Sequence, residues 1–250
     1  MKEPLETAVQ AAREAGAMLR SRFGGELKVD EASQYDIKLA IDVESQTLIT
    51  GILLGAFPEH ALYGEEGLAG DQGSPWQWIV DPIDGTVNYF YGIPHFCVSI
   101  ALRHQGELIL GVIYDPMLDE LWTVKAGAAT LLNGQPTTCS PRTEMAESLV
   151  TIGFSKSRKS IDEGMKRFDR VVRAVRKNRM LGSAALALTY IATGRLDAYV
   201  EEQISLWDVA AGKLMVEQSG GRCDLIPLPG QPDKYRIIAT NGQIPIDELL

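Results

Sequence analysis

Cysteine is scarce: the 250 residues hold three, Cys97, Cys139 and Cys223. An odd number of widely spaced thiols excludes a disulfide framework, and none forms a C-x-x-C zinc pair, so a reducing cytoplasm is the expected setting. Histidine is equally sparse. His60, His95 and His104 make no H-x-x-x-H pair and are assigned neither to a metal nor to acid–base work. Positive charge is in deficit, with 24 Lys and Arg against 33 Asp and Glu and a formal net charge of −9. That balance argues against a general nucleic-acid binder, because phosphate backbones are held by surplus cations. An acidic chain with an anionic substrate then needs metal ions or a local basic site. No apolar run approaches membrane-spanning length. The stretch MKEPLETAVQAAREAGAMLRSRF has acidic residues and helical spacing where a signal peptide has an uninterrupted apolar segment. Internal repeats, low-complexity runs and long linkers are also missing, so the two halves are expected to pack closely.

What is present is an ordinary globular composition, 45% hydrophobic and 23% charged, with length for a large core in one domain or two small ones. Leu5, Ala8, Val9, Ala12, Ala15, Leu19 and Phe23 recur at helical spacing and predict a long first helix stopped by Gly24-Gly25. A second helix is predicted over 43–57, with Asp42 at its cap. Strands follow around 61–63, 76–80, 97–103, 108–114 and 120–124, much of them an antiparallel meander. After the loop 133–141 the pattern alternates: strand 149–153, helix 162–177, helix 183–193, strand 197–201, helix 209–219, then strands 222–226 and 236–239. An α+β unit over 1–140 followed by an α/β unit over 141–250 is the expected organisation.

The stretch WQWIVDPIDGTVNYFYG, 76–92, ends an apolar strand on Asp81, inserts Pro82 and places Asp84 just before Gly-Thr. Pro82 is expected to end the ladder, and Asp84 to cap a short segment after Gly85. Two carboxylates this close repel, and one is pushed toward protonation unless something positive lies between them. Haloacid-dehalogenase phosphatases space their aspartates two apart, whereas these are three apart around a proline. An EF-hand loop needs alternating oxygen ligands, and Pro82 and Ile83 supply none from their side chains. Plain capping of a turn by Asp81 and a helix by Asp84 stays open at this point.

Three separated pieces then align: Gly64-Glu65-Glu66 after one strand, DPIDGT after another, and Leu206-Trp207-Asp208-Val209-Ala210-Ala211-Gly212 opening a late helix. In that order they resemble the inositol monophosphatase family of magnesium-dependent, lithium-sensitive phosphatases, over nearly the whole chain. The resemblance implies an α/β fold with an α+β N-terminal half, the layered α-β-α-β-α sandwich of the inositol monophosphatase and fructose bisphosphatase type. It also implies a cytoplasmic homodimer that hydrolyses myo-inositol monophosphates with two to three Mg²⁺ ions and an in-line, metal-activated water. Carried over by position, Glu65, Asp81, Asp84, Asp208 and the Ile83 carbonyl are the implied metal ligands. Asp42 and Thr86, with Glu65, are the implied catalytic residues. Asp84, Gly85, Thr86, Ser155, Ser183, Ala184, Glu201 and Asp208 are implied to contact the substrate.

For Asp42 a bare helix cap, and for Glu201 a solvated strand end, are the alternative readings. Glu31, in VDEASQY, stands where animal members of the family carry a lysine in a mobile loop, which changes that loop's charge. The continuation Val87-Asn88-Tyr89-Phe90 favours the inositol branch over 3′-phosphoadenosine nucleotidases and histidinol phosphatases. Fructose-1,6-bisphosphatase activity is not excluded. A module whose metal serves only to organise a binding surface is the rival from another class.

The basic run MKRFDRVVRAVRKNRM, 165–180, carries Phe168, Val171, Val172 and Val175 as a helical apolar face. Its Arg and Lys residues therefore read as a solvated side, with a subunit contact or anion steering as alternatives.

Overall fold

A computed structural model of the chain describes residues 3–25, 27, 29–32, 37–154 and 158–249. Helix α1 (Pro4–Arg22) starts on a proline that fits the first helical turn, and it stops where Gly24 takes φ 75°. Strands β1 (Val29–Ala32) and β2 (Ile37–Leu39) form a small antiparallel hairpin in the stretch expected to be a loop, with Glu31 opposite Lys38. Ser155, singled out from sequence, lies outside the described residues. Helix α2 (Ala40–Ala56) begins earlier than predicted. Asp42 is therefore in its first turn and not its cap, and one carboxylate oxygen accepts from the Leu39 amide at 2.8 Å.

The larger sheet is built from β3 (Ala61–Gly64), β4 (Gly67–Gly70), β5 (Trp76–Asp84), β6 (Cys97–His104), β7 (Glu107–Asp115), β8 (Glu120–Lys125), β9 (Leu131–Leu132) and β10 (Gln135–Pro136). Its order is β10-β9-β8-β7-β6-β5-β3-β4, with β5 to β10 the predicted meander and β3 parallel to β5. Pro82 does not end the ladder. Asp81 pairs with Ser99 and Asp84 with Cys97, so β5 spends three steps where β6 spends two. The missing proline N–H is absorbed in a bulge, and pairing resumes beyond it. A five-residue helix, α3 (Thr86–Phe90), follows, led by Gly85 at φ 100°. Asp84 thus closes the strand, and Gly85 is the residue that precedes the helix.

The second half contributes β11 (Leu149–Ile152), α4 (Arg158–Ala174), β12 (Lys177–Arg179), α5 (Ala184–Ala192), β13 (Ala198–Ser205), α6 (Leu206–Gln218), β14 (Arg222–Pro227) and β15 (Lys234–Thr240). The smaller sheet runs β12-β11-β13-β15-β14. Helix α4 ends before the basic residues 176–179, which the sequence pattern had left partly on it. Strand β13 outlasts its prediction by four residues, and α6 starts at Leu206, so Asp208 lies in its first turn.

Strand alternation sorts the side chains into three cores and five layers. Trp78 and Val80 of β5 pack with Ala8, Ala12 and Leu19 of α1 and Ile49 and Leu53 of α2. Their neighbour Ile79 faces the other way, with Ala101 and Ile113, onto α5 and α6. Tyr199, Ile237 and Ala239 of the smaller sheet cover the far side of those two helices. Val200 and Ile238 point outward to Val171 of α4. The order is α1/α2, large sheet, α5/α6, small sheet, α4, an α/β sandwich as expected. Close approach of the middle layer depends on small residues. A Cβ on Gly111 of β7 would sit 3.1 Å from the Ala211 backbone of α6, and one on Gly212 would sit 2.5 Å from Leu188 of α5.

Candidate metal centre

Parallel pairing of β3 with β5 sets Gly64 opposite Val80, and the Glu65 amide donates to the Val80 carbonyl at 3.1 Å. Glu65 and Asp81 therefore leave the sheet side by side. The bulge turns Asp84 onto the same end of β5. Asp208 arrives from the middle layer, one carboxylate oxygen accepting from the Ser205 amide at 2.8 Å. One carboxylate oxygen each from Asp81, Asp84 and Asp208 lies within 4.8 Å of the others. They form the floor of a cavity of about 1440 Å³, whose lining includes Asp42, Glu65, Ile83, Thr86 and Glu201.

Electrostatics mark this cluster as a concentration of unrelieved negative charge. Burial raises the Asp81 carboxyl well above the ordinary range, and the charges of Glu65, Asp84 and Asp208 raise it further, against the Ile83 amide that donates to it at 3.0 Å. Asp84 is pushed up to about 7, first by burial and then by Asp208. The Ser183 hydroxyl and the Ala185 and Ala184 amides, at 2.7 and 3.2 Å, oppose that rise. Three close carboxylates and a neighbouring glutamate, with no nitrogen ligand among the described residues, make a hard-oxygen donor set. It fits a divalent cation of the Mg²⁺ or Ca²⁺ kind, whose charge would reverse the repulsion that lifts Asp81.

The remaining expected residues are placed as follows. Thr86 donates from its hydroxyl to the Ile83 carbonyl at 2.9 Å and lies 3.4 Å from Asp42 Oδ1, so these three meet at one wall. Gly85 lines the same cavity. Glu201 lies within β13, not at its end, and the Tyr199 hydroxyl donates to its Oε2 at 2.6 Å. Bare Gly153 leaves the space that the Glu201 carboxylate fills. Ser183 and Ala184 line the cavity too, but their hydrogen-bonding groups are turned to Asp84.

Residues the motifs did not flag hold this frame. The Gln46 side chain accepts from the Glu66 amide at 2.9 Å and donates to the Gly67 carbonyl at 3.1 Å, occupying the space a Gly64 side chain would need. Ser45 donates to the Pro82 carbonyl at 3.2 Å and so braces the bulge. Tyr199 was equally unflagged. The glycines at 64 and 153 were the available signal, since each marks a close approach.

The profile of the inositol monophosphatase family matches residues 1–244. The chain belongs to the inositol monophosphatase family. Inositol monophosphatase 2 of Solanum lycopersicum is 35% identical over 254 residues, spanning 98% of this chain and 96% of that protein. Nus factor SuhB of Xylella fastidiosa is 39% identical over 228 residues, spanning 89% and 82%. Among solved structures, extragenic suppressor protein suhB from Bartonella henselae superposes with a TM-score of 0.89 at 33% identity, covering 98% of this chain and 95% of that one. An inositol monophosphatase family chain with these carboxylates intact retains the donor set for a divalent cation.

Proposed function

We propose that the chain is a Mg²⁺-dependent phosphomonoesterase that hydrolyses myo-inositol monophosphates to inositol and phosphate. The observation that carries this reading is the meeting of Asp81, Asp84 and Asp208 beneath a wall that holds Thr86 next to Asp42. Asp81, Asp84, Asp208, Glu65 and the Ile83 carbonyl would hold two to three Mg²⁺ ions. When bound, the ions supply positive charge to the phosphoryl oxygens and acidify a water molecule.

The chain's own residues do the positioning. The Leu39 amide fixes one Asp42 oxygen, which leaves Oδ1 beside the Thr86 hydroxyl. This pair orients the attacking water in line with the phosphorus–oxygen bond to the sugar. Amides at Gly85 and Thr86 offer hydrogen bonds to phosphate oxygens. Glu201, presented by Tyr199, accepts from a ring hydroxyl, with Ser183 and Ala184 near the sugar. Exclusion of inositol from the wrong orientation then rests on Glu201. The same reading makes the protein a cytoplasmic homodimer with no nucleic-acid or membrane partner.

Phosphate release from a substrate panel, with and without Mg²⁺, tests it. Inositol 1-phosphate is expected to show the highest kcat/KM, with activity lost in EDTA. A clear preference for fructose 1,6-bisphosphate, histidinol phosphate or 3′-phosphoadenosine nucleotides would reassign the substrate. The 39% identity to Nus factor SuhB favours a second reading, a binding role that needs no turnover. Asp81→Asn distinguishes them, because it removes phosphatase activity and leaves a purely structural binding role in place.

A further inference from the structure

The first part of the basic run 165–180 is the solvated helix side expected, with Lys166, Arg170 and Arg173 exposed on α4, but its end is not on that helix. Helix α4 ends at Ala174, and Arg176, Lys177 and Arg179 leave it for β12, the edge strand of the smaller sheet. There they meet Arg142 and Arg195, which come from two other segments of the chain. Together with Glu147 and Leu149 these five cations line a cavity of about 530 Å³. Leu149 begins β11 and Ile152 ends it, and Ile152 lines the acidic cavity. The basic cavity thus opens at one end of β11 and the acidic cavity reaches the other end, roughly 10 Å of strand away.

The charges are unequal in how they are held. Arg142 is paired with buried Asp197 at 3.0 Å, and Arg195 is paired with Glu120 at 2.6 Å. Among the described residues, no carboxylate lies in ion-pair range of Arg176, Lys177 or Arg179. The Arg179 guanidinium donates to the neighbouring Asn178 carbonyl at 2.9 Å. Five cations against Glu147, Asp197 and Glu120 leave a surplus of two positive charges in a chain whose net charge is −9. Such a concentration costs repulsion unless an anion relieves it. The volume suits a small ligand, and among the described residues no aromatic ring lines the cavity on which a nucleobase could stack. Guanidinium forks match phosphate oxygens bidentately.

We propose that this cavity is a second, metal-independent site for a small multiply charged phosphate anion of pyrophosphate size. Calorimetric titration of the full-length chain with pyrophosphate, once in excess Mg²⁺ and once in EDTA, reads it directly. In EDTA the acidic cavity repels the anion, so one binding event per chain is expected there and it belongs to the basic cavity. Lys177→Ala with Arg179→Ala is expected to weaken that event at least tenfold, with melting temperature and kcat for the phosphatase reaction unchanged. Arg176→Ala alone is expected to weaken it by a smaller factor. ADP is expected to bind about as tightly as pyrophosphate, since only the phosphates are held. No binding in EDTA, or equal affinity in the double variant, would overturn the site. A markedly tighter ADP event would replace the phosphate-only assignment with nucleotide recognition. An RNA oligonucleotide that binds more tightly than pyrophosphate and is lost in the same double variant would replace it with a nucleic-acid surface. Loss of the Mg²⁺-dependent event alone would count against the phosphatase reading and leave this site standing.

Discussion

Ser183, at the cap of α5, donates its hydroxyl to the Asp84 carboxylate at the end of β5. The same Ser183 oxygen accepts from the Leu186 amide at 3.2 Å. One side chain therefore starts a helix of the middle layer and steadies a carboxylate of the large sheet, and the two halves of the chain meet at the metal centre through it.

Removing that hydroxyl is expected to act on both roles. Ser183→Ala should cost about 1 kcal/mol of stability through the lost cap. It should also raise the Asp84 pKa, because the serine is the strongest of the groups holding it down. Mg²⁺ affinity is expected to fall at neutral pH and to recover as pH is raised, which calorimetry at two pH values reads. Ser183→Thr should restore both. Equal loss of affinity at every pH would assign the effect to misfolding of α5.

Asp81→Asn is expected to abolish Mg²⁺ binding and leave the metal-free chain equally or more stable. The asparagine oxygen can still accept from the Ile83 amide, while the repulsion from Glu65, Asp84 and Asp208 is relieved. Thermal melts in EDTA and titration with Mg²⁺ check the two halves of this expectation. A melt lowered by more than a few degrees would show that the charge supports the fold.

The division between water-orienting and sugar-holding groups gives opposite kinetics. Thr86→Ala should lower kcat by at least about a hundredfold with little change in KM, as befits an interaction made at the transition state. Glu201→Gln, and more weakly Tyr199→Phe, should raise KM for inositol phosphate and loosen discrimination among sugar phosphates. Steady-state kinetics on two substrates separates them.

Acidity tunes the metal-free chain. Asp84, with a folded value of about 7 against roughly 4 when unfolded, binds more protons in the folded state across that interval. Asp81 shifts in the same direction. The stability they contribute is complete below the unfolded value and is lost as pH rises through the folded one. Melting temperature in EDTA is expected to fall between about pH 5 and pH 8, and saturating Mg²⁺ should flatten or invert the slope. A metal-free melt that rises across this range would contradict the raised values.

The helices at either end of the chain, the antiparallel meander and the acidic motifs were legible because they are local. Periodicity of 3.6 or 2 is written into consecutive residues such as Ala8 to Leu19, and a glycine before Glu65 or a proline after Asp81 is visible without a partner. Element ends were less legible. The continuation of β5 past Pro82 depends on Cys97 of the next strand, and the early start of α6 depends on the Ser205 amide meeting Asp208. Convergence was legible only through the family resemblance, not from residue type and spacing. Whether Asp208 reaches Asp81 and Asp84 is decided by how closely α6 lies on the large sheet, which the Gly111–Ala211 contact permits. The meeting of Arg142, Lys177, Arg179 and Arg195 likewise depends on where β12 lies at the edge of its sheet. Residue type and spacing specify charge, hydrogen-bonding capacity and local period. Packing across layers decides which of those charges share a cavity, because that distance is set by side chains far away in sequence.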